Sequence, residues 1–393
     1  MQNLIVGTVV GIVIGIVVGT TVVAPRLQLP VQTRGMFTGK NEQAVRQKSI
    51  ISLSSTRSVS GAPKPSMNAP APRGSRWRMA SAYGSSLADL GTSGKRLESK
   101  IAESSGNHFK IKFYEPGTLV ESEGVLEALR SGAIEAIFAT PELWSDMSPA
   151  LSLYSGIPFG PPIQEYLAWL HGEGLKLMEE HFAKLGLHAI ACGLLPPVGS
   201  GWFRKPVPDL NTLKKLKIGM TGLGARVLQR LGAEVTQISE ADIFIAFERG
   251  LIDGAAAAQP SVDLQLGLHK MARHYYFPGW HKPATLLTLV INAGSWQSLP
   301  TPLKAQLKSI CGDNITTGVS KSEYNQFNAL KELTKSGAII DTWSPEILTA
   351  LRNAWQVTAA ELSTNNSDFA RVWSSLQRFR NEYEIWREIG EPR

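Results

Sequence analysis

From residue 76 onward, apolar positions recur with two alternating periods. RWRMASAY alternates as a strand. LGTSGKRLESKIAESSG places its apolar residues on one helical face and ends at Gly106, HFKIKFYEPG is a strand with its turn, SEGVLEALRSG is a second helix, and AIEAIFAT closes the unit. A second round begins at Trp202: LKIGMTGLGARVLQRLGAEVTQI predicts strand, glycine turn, helix and strand, and ADIFIAFERGLIDGAAAA predicts a helix turning into a strand. Strands alternating with helices predict an α/β fold with two similar halves, a two-lobed arrangement with an interlobe cleft and C-terminal helices.

The two halves share one corner. In ALRSGAIEA a helix runs up to Gly132 and Ile134-Glu135 opens a strand; in AFERGLIDGAAAA the same places are taken by Gly250 and Ile252-Asp253. A glycine there suits a left-handed helix terminus, which residues with a Cβ adopt at a cost. Further on, Ser344-Pro345-Glu346 predicts a helix start. Phe369, Val372, Trp373, Leu376, Phe379, Tyr383, Trp386 and Ile389 then form a stripe at helical spacing, expected to be intramolecular core more often than a subunit interface.

The N-terminal part reads differently. Residues 4–24 form an uncharged apolar run, about 31 Å long at ~1.5 Å per residue and so enough to span a bilayer. Pro25 follows the only passable cleavage site, so an uncleaved anchor is favoured over a removed signal. Gly7, Gly11, Gly15 and Gly19 fall every fourth residue and offer a face for close helix association. The Ser-, Pro- and basic-rich stretch that follows predicts a flexible tether. The expected organisation is therefore residues 1–25 as anchor or signal and 26–75 as tether. Residues 76–200, completed by about 284–325, would form lobe I, residues 201–283 lobe II and residues 326–393 a helical C-terminal region.

Composition adds little until the charge is located. The chain has 393 residues, 43% of them hydrophobic and 19% charged, with a formal net charge of +7. Nine of its 40 Lys/Arg, but only Glu42 of its 33 acids, lie in residues 26–76, so the remainder is nearly neutral. The basicity belongs to the tether, which argues against a nucleic-acid groove. By the positive-inside rule it would also place the following chain in the cytoplasm, although large domains cross regardless of flanking charge. Cys192 and Cys311 are too few for a disulfide scaffold and too isolated for a zinc site, and are expected to be separate core thiols. The seven histidines form no HExxH pattern.

Catalytic patterns are weak. Gly222-Leu223-Gly224 follows a strand and opens a helix as in dinucleotide folds, but Val227 stands where the third glycine belongs, and Glu240, the acid nearest a ribose distance, reads as a turn residue. The glycines are better read as exposing helix-terminal N–H groups to whatever sits in the cleft. No GxSxG, Walker A or acid–base pair is evident, and no enzymatic role or cofactor is expected.

LYSGIPFGPPIQEYLAWL, GSGWFRKPV, GLGARVLQRLGAE, ERGLIDGA and HYYFPGWHKP, in that order, make residues 76–391 resemble the solute-binding subunits of tripartite ATP-independent periplasmic (TRAP) transporters, DctP-like and of the 2-oxo acid/monocarboxylate branch. The resemblance implies two α/β lobes closing on a small, anionic, organic acid-like solute that is delivered to a membrane permease. It also implies a periplasmic location and a C-terminal helix able to swap between subunits. A homodimer through that helix or through the Gly7/Gly11/Gly15/Gly19 face is therefore a candidate.

The site departs from the family pattern. Gly219 stands where the resemblance implies an arginine that clamps the ligand carboxylate. Val198, Ala256-Ala257 and Lys282 stand where the metal-using branch implies Gln, Glu-Trp and Glu, so no metal is expected. Tyr83 matches a usual cleft aromatic, while Glu142-Leu143-Trp144 replaces cleft tyrosines. The candidate ligand-binding residues are thus Tyr83, Glu142, Trp144, Gly222 and Lys282. The Lys282 ammonium needs a partner if enclosed: an anionic ligand, for which it would stand in for the missing arginine, or Glu142 of the facing lobe, unless it simply faces solvent. A tethered sensory or scaffold protein that kept the fold without transport is the rival reading, and a dinucleotide-dependent enzyme a weaker third.

Overall fold

A computed structural model describes residues 75–238 and 242–390. The expected anchor, its glycine face, nearly all of the tether and Glu240 lie outside the described residues, and among these no helix is long and apolar enough to cross a membrane.

The predicted alternation is built as two sheets. Strands β1 (Ser75–Ser81), β2 (Phe109–Tyr114) and β3 (Ala136–Ala139) alternate with helices α1 (Gly91–Ser104) and α2 (Val125–Ser131). Helices α3 (Ile163–Trp169) and α4 (Leu175–Lys184), joined by a π-helical turn, lead into β4 (Leu187–Leu195). The second round comprises β5 (Gly201–Phe203), β6 (Lys217–Gly219), α5 (Gly222–Leu231), β7 (Glu234–Thr236), α6 (Ile243–Glu248), β8 (Gly254–Ala255), α7 (Pro260–Leu266) and β9 (His274–Phe277). The chain then returns through β10 (Thr285–Asn292), runs along the 35-residue α8 (Thr301–Lys335), adds β11 (Ile339–Thr342) and ends in α9 (Pro345–Asn365) and α10 (Ser367–Ile389). One sheet has the order β2-β1-β3-β10-β4, the other β11-β9-β5-β8-β6-β7. Parallel pairing of β1 with β2 and β3, and of β6 with β7 and β8, is what right-handed crossovers through helices produce.

The repeated corner has one physical explanation in both halves. Gly132 (φ 75°) and Gly250 (φ 68°) take the left-handed conformation, and Ile134 and Ile252 are buried. The acid then grips the neighbouring parallel strand. The Glu135 carboxylate accepts from the Arg78 N–H (2.7 Å) while the Glu135 N–H donates to the Arg78 carbonyl (3.3 Å). Asp253 repeats this with Lys217, at 3.0 Å and 2.8 Å. Each acid occupies a backbone N–H beyond the end of the ladder and pins the register of its lobe.

The two cysteines are a correction. They are not separate thiols: Cys192 of β4 and Cys311 of α8, both fully buried with Cα atoms 4.1 Å apart, form a disulfide across 119 residues. The helix lies directly on the strand, a proximity that the spacing of two lone cysteines does not reveal. The C-terminal stripe divides along its length. Phe369, Val372 and Leu376 are buried and Trp373 meets Trp355 edge to face at 5.3 Å, whereas Trp386 and Ile389 are 59% and 74% exposed. Caps behave as predicted: the Ser344 hydroxyl accepts from the Ile347 N–H at the start of α9.

Candidate functional site

Three chain segments meet where the first sheet faces the start of α5. The first follows β3, where Pro141 opens a single helical turn and Glu142 donates its N–H to the Ser155 hydroxyl at 2.7 Å. The second is Gly222 at the beginning of α5. The third is the return segment before β10, which carries Trp280, His281 and Lys282.

The Glu142 carboxylate accepts from the Lys282 ammonium at 2.9 Å, with the two side chains 14% and 21% exposed. An ion pair this enclosed is screened less by salt than a surface pair. Its geometry depends on two glycines. A Cβ on Gly156 would stand 2.3 Å from Cγ of Lys282, so the lysine stem crosses the backbone there. A Cβ on Gly222 (φ 67°) would stand 1.8 Å from Oε1 of Glu142. The carboxylate therefore rests against the first turn of α5, where backbone N–H groups without helical partners and the positive end of the helix dipole favour an anion. Behind it, His281 packs its Cβ on Gly224 and is 2% exposed, and its Nδ1 has no hydrogen-bond partner. Burial, and then the charge of Lys282, push its pKa down to about 3, so it is a neutral imidazole.

Glu142, Gly222 and Lys282 are thus brought together. Tyr83 is tied to the segment that carries Glu142, its hydroxyl donating to the hydroxyl of Thr140, two residues before it, at 3.1 Å. Trp144 is placed elsewhere: it is 4% exposed and packs edge to face on Phe182 of α4 at 5.4 Å. Ser155, Gly156 and His281 were not among the sequence candidates. The His281-Lys282 adjacency was the one available signal, because a hydroxyl and a glycine that serve residues elsewhere in the chain have none of their own.

The positions compared with a metal set do converge. Val198 donates its N–H to the Lys282 carbonyl at 3.3 Å, Gly199 to the Ala258 carbonyl at 2.9 Å and Ala256 to the Gly219 carbonyl at 2.8 Å. Their side chains are apolar or cationic, and no group of three or more His, Cys, Asp or Glu suited to a metal occurs among the described residues. That donor set does not fit sodium or calcium, which require several oxygens. Gly219 itself faces Ile238 and Ile252, each 3.4 Å from where a Cβ would stand.

A family model, bacterial extracellular solute-binding protein, family 7, matches residues 81–365. The chain belongs to this family. It is 29% identical over 317 residues to a monocarboxylate 2-oxoacid-binding periplasmic protein of Nostoc sp., covering 80% of this chain and 87% of that one. Among solved structures it resembles a TRAP transporter solute-binding protein of Bordetella bronchiseptica described with calcium and picolinate in its active site (28% identity, TM-score 0.77, covering 81% of this chain and 95% of that one). A TRAP periplasmic solute-binding protein of Pseudoalteromonas atlantica with bound sodium and pyruvate is comparable (27%, 0.75, covering 80% and 96%). The chain is thus a TRAP-type solute-binding protein with the two-lobed fold of its family, and each of these two similar structures holds a small carboxylate with a metal ion.

Proposed function

We propose that this family 7 protein captures a small organic acid through its carboxylate, without a metal, and passes it to a TRAP permease on the periplasmic side of a bacterial inner membrane, to which residues 4–24 anchor it. The observation that carries this reading is Lys282. Lys282 is one of the positions compared with a metal set, its carbonyl accepts from the Val198 N–H, and its ammonium pairs with the Glu142 carboxylate that rests against the start of α5. A fixed positive charge meets a carboxylate without recruiting an ion. The carboxylates in the two similar structures support the solute class. The Cys192–Cys311 disulfide supports an oxidising compartment and weighs against the cytoplasmic side that the tether's charge suggested. Binding alone, with no chemical step, is the activity we assign: Glu142 fills the glycine turn that a dinucleotide phosphate would need, and His281 is buried and neutral. A homodimer through the exposed C-terminal end of α10, where Ile385, Trp386 and Ile389 lie, or through the glycine face of the anchor completes the proposal.

The test is native mass spectrometry of the protein purified without refolding, followed by calorimetry with pyruvate and with whatever co-purifies. Lys282→Ala is expected to lower affinity for a carboxylate solute by at least a hundredfold, and also to lower the thermal midpoint because the enclosed Glu142 carboxylate loses its partner. Unchanged affinity would refute the assignment. A reporter enzyme active only in the cytoplasm, fused at Arg393, is expected to be silent.

A further inference from the structure

The anion position at Lys282 is filled by the protein itself. Glu142 reaches it from the first lobe, its carboxylate 2.9 Å from the ammonium and pressed on Gly222 so closely that a side chain there could not coexist with it. The turn carrying Glu142 is held from behind by Pro141 and by the hydrogen bond from the Glu142 N–H to Ser155, so the carboxylate is presented on a braced backbone. One acid thereby meets both features that would receive a solute's carboxylate: the ammonium and the first turn of α5.

We propose that Glu142 is a tethered competitor of the solute, a specificity-determining residue whose carboxylate occupies the solute's anionic position and must be displaced before a monocarboxylate can bind. This rests on the reading that the solute pairs with Lys282. Two consequences follow from charge and connectivity. A group on the same chain acts at an effective concentration in the millimolar range or above, so a simple monocarboxylate binds more weakly than to the bare ammonium by the fraction of time Glu142 is in place. Because Glu142 belongs to the first lobe and Gly222 to the second, the same contact also holds the lobes together before any solute arrives.

The experiment compares the full-length protein with its Glu142→Gln and Glu142→Ala variants, using pyruvate as the probe in calorimetry. Spin labels at Lys110→Cys and Lys215→Cys, with the native disulfide left oxidised, report the interlobe distance in the absence of solute. The glutamine variant keeps the shape of the side chain and guards against a folding defect. Expected are at least tenfold tighter pyruvate binding in Glu142→Gln and a longer, broader interlobe distance in solute-free Glu142→Ala. Pyruvate affinity equal to or weaker than that of the unsubstituted protein overturns the proposal. If no form binds pyruvate, the solute class proposed above fails, and the occupancy by Glu142 is judged on the distance alone: widening in Glu142→Ala upholds it, an unchanged distance overturns it.

Discussion

The two lobes solve the same backbone problem identically and then hold themselves together by different means. Glu135 and Asp253 make the same reciprocal pair with a neighbouring strand. In the first lobe the strand residue adds its side chain: Arg78 donates from Nε at 3.1 Å and from Nη2 at 2.8 Å to the Glu135 carboxylate. In the second, the Lys217 ammonium turns instead toward Glu234, at 4.0 Å. The first lobe also carries the disulfide between β4 and α8, whereas the second packs aromatic rings on its sheet. Trp202 of β5 stacks on Tyr275 of β9 at 4.0 Å, and its indole N–H reaches the Asp263 carboxylate at 2.9 Å. The lesson is that the corner acid serves the backbone first: an arginine or a lysine is accepted on the neighbouring strand because the N–H and carbonyl carry the contact.

The comparison breaks hardest at the disulfide. Replacing both Cys192 and Cys311 by Ala is expected to cost about 4 kcal/mol, since a closed loop of this size restricts the unfolded chain strongly. The loss is read as a lower urea midpoint, and reductant should do nothing further to the variant. On the other side, Trp202→Ala is expected to cost about 3–4 kcal/mol, through a cavity under Tyr275 and a buried Asp263 carboxylate that loses a donor. Both substitutions leave the opposite sheet's core untouched, so amide exchange should loosen first in the lobe that was changed.

The corner acids sharpen the comparison at a smaller scale. Glu135→Ala and Asp253→Ala are each expected to cost about 1–2 kcal/mol for the strand N–H left without its acceptor. Near-equal values support a shared backbone role, while a loss confined to Glu135→Ala would assign the work to the Arg78 side chain. Acid titration separates them further. Burial pushes the Glu135 carboxyl up, but the hydrogen bonds and charge of Arg78 outweigh it and leave the pKa below its ordinary value. A depressed carboxylate stabilises the fold above its unfolded pKa of about 4.3, and that contribution is lost as pH falls through the folded value. Glu135→Gln should therefore flatten the acid limb of the stability curve, by less than about 1 kcal/mol because the pair is partly exposed.

Much of this architecture was written locally. Gly132 and Gly250 end periodic helices and need a left-handed backbone, and Ser344-Pro345 starts α9, because caps depend on neighbours within a few residues. What could not be read depended on distant segments meeting. Cys192 and Cys311 pair because α8 lies on β4, a fact of packing without a local trace. Glu142 and Lys282 could be brought together only as one of two partnerships suggested by a family resemblance, since 140 positions separate them. Trp144 shows the opposite failure: an aromatic beside a cleft residue and an aromatic in a core look alike in sequence, and only the placement of Phe182 distinguishes them.

The disulfide also closes a circuit. Strands β5 to β9 all lie between Cys192 and Cys311, so most of the second sheet hangs as one loop from a covalent clasp on the first. A protease that cuts once within that loop severs the polypeptide without releasing either piece: the fragments migrate as one molecule until a reductant is added. The first sheet is also completed late in the chain: β10, which lies between β3 and β4, begins roughly ninety residues after β4 ends, with β5 to β9 of the second sheet in between.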